Sequence, residues 1–335
     1  MRDLVSGTIL ITTEWFNDAP NFEEMRAKLE GAGLALRVSG HRGILSAEQL
    51  KPLLDGARGC IAGIDHFTRD VIESASALEV ISRTGVGFER IDIDACTERG
   101  VVVTTSVASN SDAVAEFALG LILAVARDIG RGFVSMRGGK WRSGDLLGST
   151  VVGKRLGIVG MGSIGSRLAR LARGLRMEVL YYDVVRKPGL ETSGEVTYAP
   201  LDELLARSDF VSLHAPVTSD SRRLIGEREL RRMQPHAFLV NTARGPLIDE
   251  AALVSAIDEG WIRGAAIDVY DPEPPSPENP LLHRERILVT PHIAGSSEDA
   301  RRKNLALAVE NLLAVLGGER PPTVMNPRVF ELSGR

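Results

Sequence analysis

Residues 154–183, KRLGIVGMGSIGSRLARLARGLRMEVLYYD, decide the fold of this chain. The stretch opens with a short apolar run at 156–159 and closes with a second apolar run at 177–182. Between the two runs, apolar residues recur at helical spacing from Ile164 to Leu175. This order of patterns predicts a strand, a tight turn, a helix and a second strand.

The turn carries three glycines in a G-x-G-x-x-G arrangement, Gly160, Gly162 and Gly165. In dinucleotide-binding proteins such glycines make the turn, let the backbone approach a pyrophosphate and let the helix pack on the strand. The phosphates then lie on the free N–H groups of the helix N-terminus. Asp183 ends the second strand, about 20 residues after the glycine turn. In dinucleotide-binding proteins a carboxylate at this spacing meets the hydroxyls of the adenosine ribose.

The glycine spacing alone is a weak signal, because 34 of the 335 residues are glycine. An ordinary strand-to-helix turn is the alternative interpretation, and the flanking strands and helix favour the dinucleotide site. The carboxylate of Asp183 would repel the 2′-phosphate of NADP, which predicts NAD as the cofactor. The positive charges of Arg186 and Lys187 lie close by in the sequence and would attract the 2′-phosphate, unless solvent screens them.

The composition is 44% hydrophobic and 25% charged, with a net charge of −4, and the length predicts two domains. The absence of basic clusters argues against nucleic acid or a membrane surface as a partner. The most apolar helical stretch, residues 113–126, contains Glu116 and is too short to span a bilayer. Two cysteines without a Cys/His cluster predict neither a disulfide framework nor a metal site, and suit the cytoplasm.

Strand and helix patterns alternate on both sides of the glycine turn, which predicts βαβ units and a mainly parallel sheet. About 105 residues build a small α/β unit before residues 109–127 form a long apolar helix. Residues 128–153 are rich in glycine and are expected to be an irregular connector. A final amphipathic helix is expected at 297–315. The strands predicted before the connector are 8–12, 36–38, 59–64, 78–83 and 101–105.

Three polar side chains follow strands predicted after the connector, at 237–241, 264–269 and 287–290, at the edge where α/β sheets bind ligands. Arg244, Glu273 and His292 each have a simple structural explanation when taken alone: an ion pair, an exposed loop carboxylate and a hydrogen-bonded loop imidazole. Beside a nicotinamide they could serve hydride transfer on a 2-oxo or 2-hydroxy acid. Arg244 can bind a carboxylate through two parallel hydrogen bonds. His292 can exchange the hydroxyl proton near neutral pH, and Glu273 can orient its imidazole.

Several longer stretches carry a resemblance to the D-2-hydroxyacid dehydrogenase family. The chain is most similar to its D-3-phosphoglycerate-dehydrogenase-like branch without an added regulatory domain, over residues 59–326. Besides the glycine turn, the stretches are SRTGVGFERID at 82–92, NSDAVAE at 110–116, SLHAPVTSDSRRLI at 212–225, VNTARGPLIDEAAL at 240–253, AAIDVYDPEPP at 265–275 and TPHIAGSS at 290–297.

The resemblance implies an α/β fold of two domains, in which a Rossmann-type NAD-binding domain is inserted in a flavodoxin-like substrate domain. The substrate domain would comprise residues 1–107 and 297–335, and the NAD-binding domain residues 108–296. Arg244, Glu273 and His292 would be catalytic. Arg83, Val86 and Gly87 would bind the substrate. Besides the glycines, the residues lining the cofactor would be Ser163, Ile164, Asp183, Ala215, Pro216, Ser221, Thr242, Ala243, Asp268 and Gly295.

The implied activity is NAD-dependent interconversion of a D-2-hydroxy acid and its 2-oxo acid by a cytoplasmic homodimer. The D-2-hydroxy acid could be D-3-phosphoglycerate. Residues 60–63 contain no arginine, however, where some phosphoglycerate dehydrogenases have one. Glyoxylate or hydroxypyruvate reduction is therefore an open alternative. A second alternative is a protein that responds to NAD(H) without catalysis, as some relatives do in transcriptional corepression.

Overall fold

Strands and helices alternate along residues 6–141 and 145–333, which the computed structural model describes. Residues 142–144 of the predicted connector, and residues 1–5 and 334–335 of the predicted substrate domain, lie outside the described residues. The elements are β1 (Gly7–Ile11), α1 (Phe22–Gly31), β2 (Leu34–Val38), α2 (Ala47–Leu54), β3 (Ala57–Ala62), α3 (Arg69–Ser74), β4 (Val80–Arg83), α4 (Ile93–Glu98), β5 (Val102–Thr105), α5 (Ser111–Ala126), α6 (Ile129–Arg137), β6 (Arg155–Val159), α7 (Ser163–Gly174), β7 (Glu178–Tyr182), α8 (Pro188–Thr192), β8 (Thr197–Tyr198), α9 (Leu201–Arg207), β9 (Phe210–Leu213), α10 (Glu227–Leu230), β10 (Phe238–Asn241), α11 (Glu250–Asp258), β11 (Gly264–Ile267), β12 (Ile287–Val289), α12 (Glu298–Leu316) and α13 (Arg328–Ser333).

The chain divides into two compact units, and the first is built from two separate parts of the sequence. Met1–Asn110 and Ser296–Arg335 form the first unit, and Ser111–Gly295 form the second. The first unit contains a parallel five-stranded sheet in the order β2-β1-β3-β4-β5, which is the flavodoxin-like order. The buried face of α12 packs on this sheet through Leu305, Val309 and Leu312.

The second unit contains a parallel seven-stranded sheet in the order β12-β11-β10-β9-β6-β7-β8. Its strand order reverses between β6 and β9, so this is the doubly wound Rossmann arrangement. The predicted α/β fold with parallel sheets is confirmed. Ligands bind such sheets at the carboxyl ends of the strands beside the reversal.

The long apolar helix predicted at 109–127 is present as α5, Ser111–Ala126. Its buried residues are mostly small or aliphatic, and include Ala115, Ala118 and Ile122. They join a core with Leu168 of α7 and Val240 of β10. Small side chains let the helix axis approach its neighbours closely, and the exposed residues Asp112, Glu116 and Gly120 recur every four positions on one side of the helix.

The irregular connector predicted at 128–153 was wrong in part, because α6 occupies Ile129–Arg137. Asp128 ends α5 by adopting a left-handed backbone at φ 52°, and the chain then starts a new helix. Its carboxylate accepts a hydrogen bond from Arg131 at 3.3 Å in the first turn of α6. Gly130 and Gly132 lower the helix propensity of this stretch and hid the helix from the sequence pattern.

No helix among the described residues is both long and apolar enough to cross a membrane.

Candidate active site

The glycine turn lies at the strand reversal of the second unit, between β6 and β9. Gly160 adopts φ +98°, and a Cβ at this position would lie 2.6 Å from the amide nitrogen of Ala215. The turn after β6 therefore touches the turn after β9, and only glycine permits both the backbone angle and the approach. Gly165 is constrained by packing as well, since its Cβ would lie 2.3 Å from the carbonyl oxygen of Gly160.

Gly162 differs from the other two glycines because it borders open space, with no atom within 4 Å of an added Cβ. It precedes α7 without a side-chain cap, so the first-turn N–H groups that begin with Ser163 and Ile164 lack an intrahelical acceptor. Arg167 donates hydrogen bonds to the backbone oxygen and Oγ of Ser163, at 2.9 and 2.7 Å, and its charge is paired with the Asp112 carboxylate at 2.5 Å, so the helix end itself supplies the positive potential here. An anion would be stabilised at this helix end.

Asp183 follows β7, and its two carboxylate oxygens face two turns. One oxygen accepts a hydrogen bond from the Met161 N–H at 2.7 Å, and the other accepts one from the Val185 N–H at 2.8 Å. These contacts fix the carboxylate beside the glycine turn, where further acceptor positions remain for ribose hydroxyls.

Arg186, whose charge could attract a 2′-phosphate, already has partners on two sides. Its guanidinium pairs with Glu191 and lies 4.5 Å from the ring centre of Tyr198. The Glu191 carboxylate is fixed in turn by a 2.6 Å hydrogen bond from the Tyr181 hydroxyl. Because both partners hold the guanidinium, the charge of Arg186 offsets the negative charge of Asp183 less than its position in the sequence indicates.

Two buried polar atoms at the ends of β9 and β10 have no hydrogen-bond partner within the described parts of the chain: His214 Nδ1 and Thr242 Oγ1. The other ring nitrogen of His214 lies 2.9 Å from Ser212 Oγ. Burial lowers the pKa of His214 to about 4, so its imidazole is neutral near pH 7. Unpartnered buried polar atoms are rare in folded proteins and indicate a site that a polar ligand completes.

Arg244 lies on a turn after β10 that a buried asparagine organises. The side chain of Asn241 accepts a hydrogen bond from the Ala243 N–H at 3.0 Å and donates one to the Arg244 carbonyl at 2.8 Å. At Gly245, a Cβ would lie 2.0 Å from the carbonyl carbon of Tyr270, so the turn packs directly on the backbone after β11. This packing brings the Arg244 turn next to the loop that carries Glu273.

The turn that carries His292 is held by the buried carboxylate of Asp268, which is 0% exposed. One oxygen accepts hydrogen bonds from Thr290 Oγ1 at 2.5 Å and from the Ile293 N–H at 2.9 Å. The other oxygen accepts one from the Ala294 N–H at 2.8 Å. Asp268 thus supports the His292 turn, a role besides the nicotinamide contact that the resemblance implies for it.

Glu273 and His292 form a hydrogen-bonded pair, with His292 Nδ1 2.9 Å from Glu273 Oε2. The other carboxylate oxygen of Glu273 accepts a 3.0 Å hydrogen bond from the Tyr270 N–H. Burial opposes ionisation of Glu273, but the hydrogen bonds from His292 and Tyr270, with the charges of His292 and Arg244, outweigh it and lower its pKa. The carboxylate is therefore ionised at neutral pH, and it leaves Nε2 of the imidazole for a substrate.

The remaining predicted cofactor residues lie on the same strand ends. Pro216 and Ser221 belong to the connection after β9, where the Ser221 hydroxyl donates a 2.7 Å hydrogen bond to the Pro216 carbonyl. Ala243 lies beside Arg244, and Gly295 follows the His292 turn at the end of the unit.

The predicted substrate residues lie in the first unit, at the carboxyl end of β4. Arg83 is the last residue of that strand, and its guanidinium lies against Gly85, where a Cβ would come 2.8 Å from Nη1. Val86 and Gly87 follow in an irregular turn, in which the Val86 residue is 38% exposed.

Taken together, the second unit fits a nicotinamide dinucleotide. The open helix N-terminus at Gly162 suits a pyrophosphate, and Asp183 suits a ribose diol. The unpartnered atoms of His214 and Thr242 suit the polar groups of the nicotinamide half.

Sequence reasoning did not single out Asn241, Arg167 or Thr290, although each touches a residue that it did. Asn241 and Thr290 share a usable signal, because each is a polar residue at the end of an apolar strand. Arg167 gave no such signal, since arginine is common on exposed helix faces.

Residues 119–294 match the profile of the D-isomer specific 2-hydroxyacid dehydrogenase, NAD binding domain. This match covers more than half of the chain. The chain belongs to the D-isomer specific 2-hydroxyacid dehydrogenase family. It is an NAD-dependent 2-hydroxyacid oxidoreductase, as the sequence predicted, and this favours catalysis over the corepressor alternative.

Relatives with different names share this family. The chain is 40% identical over 290 residues to a glyoxylate reductase of Korarchaeum cryptofilum, covering 84% of this chain and 87% of that enzyme. It is 37% identical over 319 residues to a D-3-phosphoglycerate dehydrogenase of Methanocaldococcus jannaschii, covering 95% of this chain and 59% of that enzyme. Among solved structures, the TT0316 protein from Thermus thermophilus is similar with a TM-score of 0.86 and 37% identity, covering 95% of this chain and 99% of that protein.

Proposed function

We propose that this dehydrogenase reduces a short, unphosphorylated 2-oxo acid of the glyoxylate and hydroxypyruvate class, with NADH as the hydride donor. The observation that carries the chemistry is the Glu273–His292 pair, 2.9 Å apart, with Glu273 on a loop that packs against the Arg244 turn. Such a pair supplies an oriented acid, and Arg244 supplies a carboxylate-binding cation.

The proposed roles follow from which atoms are already engaged. When bound, NADH supplies the hydride that reduces the carbonyl carbon. His292 donates its Nε2 proton to the carbonyl oxygen, because Nδ1 is engaged by Glu273. The ionised carboxylate of Glu273 accepts the Nδ1–H and stabilises the doubly protonated imidazolium that acts as the acid. After the Nε2 proton has left, it holds the neutral imidazole with its proton on Nδ1. Arg244 binds the substrate carboxylate, and the same residues work in reverse in oxidation.

The end of β3 in the first unit supports a substrate without a phosphate group. Ala62 is fully buried, and a Cβ on Gly63 would lie 3.2 Å from the Thr12 carbonyl oxygen. Neither position carries a cationic side chain that could bind a phosphate, and the packing leaves little space for one at either position. The glyoxylate reductase name of relatives such as that of Korarchaeum cryptofilum supports the same substrate class.

The remaining site assignments are part of this proposal. Arg83, Val86 and Gly87 are proposed to bind the substrate, on the strength of the family resemblance and their place at a strand end. Cytoplasmic location is supported by the two cysteines, Cys60 and Cys96, which are buried free thiols.

We also propose a homodimer that associates through α6. No residue of this helix is buried, and Phe133, Val134 and Met136 are 65%, 69% and 55% exposed. An apolar surface of this kind is typical of a protein–protein interface, and its occupant here is a second copy of the chain.

The test of the substrate is a panel of 2-oxo acids with NADH and NADPH: glyoxylate, hydroxypyruvate, phosphohydroxypyruvate and pyruvate. We expect kcat/KM to be highest for glyoxylate or hydroxypyruvate with NADH. A preference for phosphohydroxypyruvate would overturn the substrate assignment without affecting the assignment to the family.

A further inference from the structure

Residues 271–280, DPEPPSPENP, form the loop that carries Glu273, and their backbone is poorly equipped to hold itself in place. Five of the ten residues are prolines, which have no N–H group to donate. A loop of this composition needs anchors from side chains outside it.

Glu250 provides such an anchor at both ends of the loop. One carboxylate oxygen accepts a 2.9 Å hydrogen bond from the Asp271 N–H, and the other accepts one of 2.9 Å from Asn279 Nδ2. The amide of Asn279 is fixed in this orientation, because its oxygen accepts a hydrogen bond from the Leu281 N–H at 2.9 Å. Leu281 is buried, which ties this end of the loop to the core.

The first contact lies beside the pair that the proposed chemistry uses. Asp271 stands between Tyr270, whose N–H holds one oxygen of Glu273, and Glu273 itself. A shift of the Asp271 backbone therefore moves both the Tyr270 N–H and the Glu273 carboxylate that accepts its hydrogen bond. Glu250 also follows the turn of Arg244, since the short 3₁₀ helix Gly245–Leu247 lies between them.

We infer that Glu250 is a positioning residue for the reaction: its carboxylate clasps the two ends of the proline-rich loop and so sets the geometry of the Glu273–His292 pair. Glu250 touches neither substrate nor cofactor in this account. The inference rests on the proposed function, because it assumes that Glu273 and His292 carry the proton transfer.

The test compares Glu250→Ala and Glu250→Gln with the wild-type enzyme, using the best 2-oxo acid of the panel. The alanine variant loses both contacts, and we expect kcat to fall by about 10-fold or more, since small misplacements of catalytic groups have large effects. Glutamine keeps an oxygen for the Asp271 N–H but turns an NH₂ group toward Asn279, so its kcat should lie between the two. The Kd for NADH should not change.

Glu227 offers a matched control, because it is the first residue of α10 as Glu250 is the first residue of α11. Both acids lie where they favour the helix dipole. Glu227→Ala removes that effect without touching the loop, and its kcat should equal that of the wild type.

A double-mutant cycle with Glu273→Gln separates positioning from general stability. If Glu250 acts through Glu273, Glu250→Ala lowers kcat little further in the Glu273→Gln background. Three results would overturn the positioning role of Glu250: additive losses of kcat in the double mutant, an unchanged kcat in Glu250→Ala, or a loss of NADH affinity in Glu250→Ala as large as the loss of kcat. If Glu250→Ala does not fold, Glu250→Gln decides by the same cycle. Full turnover in His292→Ala would instead overturn the proposed function, so the two failures are distinguishable.

Discussion

The backbone N–H of His292 donates a 2.8 Å hydrogen bond to the carbonyl oxygen of Asp268, whose own side chain binds the next two backbone N–H groups of the turn. His292 adopts a left-handed backbone at φ 53°, which is unfavourable for most residues. The buried Asp268 stabilises this conformation and so presents the imidazole.

Asp268→Asn should therefore destabilise the fold and reduce activity together. An asparagine places an NH₂ group against an N–H donor, and the buried donor loses its partner. The expected loss is about 1–3 kcal/mol in the free energy of unfolding, measured by urea denaturation, with a parallel fall in kcat. Asp258→Asn, which removes an exposed ion pair with Arg284, is the control and should change neither quantity appreciably.

His292→Ala should lower kcat on the order of 10²- to 10⁴-fold, the usual contribution of general acid–base catalysis, while NADH binding is retained. His292→Asn is the matched variant, because asparagine tolerates the left-handed backbone better than alanine. Equal losses in both variants would assign the effect to the imidazole. Steady-state kinetics and NADH fluorescence titration measure the two quantities, and near-normal turnover in either variant contradicts the assignment.

Arg244→Lys should reduce kcat/KM for the 2-oxo acid by about 10- to 100-fold, because an ammonium cannot reproduce two parallel hydrogen bonds to a carboxylate. Arg284 makes a two-pronged surface contact with Asp258 and offers the same chemical change away from the site. Arg284→Lys should keep full activity. Initial rates at varied substrate concentration test both, and equal kcat/KM values for both variants would refute the role of Arg244.

The lowered pKa of Glu273 predicts a pH-dependent contribution to stability. Because the pKa is lower in the folded than in the unfolded chain, the ionised form stabilises the fold above the ordinary value of 4.5. This stabilisation is lost as the pH falls through the folded-state pKa. The difference in unfolding free energy between wild type and Glu273→Gln should thus shrink below about pH 4.5. Urea unfolding from pH 7 to pH 3 measures it, and a constant difference speaks against the shift.

Phe133→Glu should weaken self-association by at least about 2 kcal/mol, since a buried aromatic anchor would become a charge at the interface. Sedimentation velocity should show the wild type at twice the chain mass of 36.2 kDa, and the variant should shift toward the mass of a single chain. Leu332, equally 65% exposed but on α13, is the control position, and Leu332→Glu should leave the mass unchanged. A monomeric wild type would contradict the proposed dimer.

The sequence predicted most of the strands and the parallel sheets, because buried parallel strands are near-continuous apolar runs that stand out from their surroundings. A helix start is visible in a sequence where a side chain marks it, as Ser46 does by capping α2. The helix α6 was missed because its apolar residues are exposed and its glycines resemble those of a loop.

Side-chain roles at the site were harder to predict than positions. The place of Asp268 after a strand was visible in the sequence, yet the three donors that its carboxylate binds come from a turn more than 20 residues later. The contacts of Glu250 are similarly remote, since they join α11 to a loop beyond the next strand. Such pairings depend on tertiary packing, which local patterns do not encode.

The division of the first unit between two ends of the chain constrains how the protein is made. The N–H of Val103 in β5 donates to Asn326, and the Ser82 hydroxyl in β4 donates to the carbonyl of Ala308 in α12. At about 5–20 residues per second, a ribosome needs roughly ten seconds or more to reach these partners after Val103 has emerged. The unit that is begun first during translation is thus completed last, after the intervening NAD-binding unit has had time to fold.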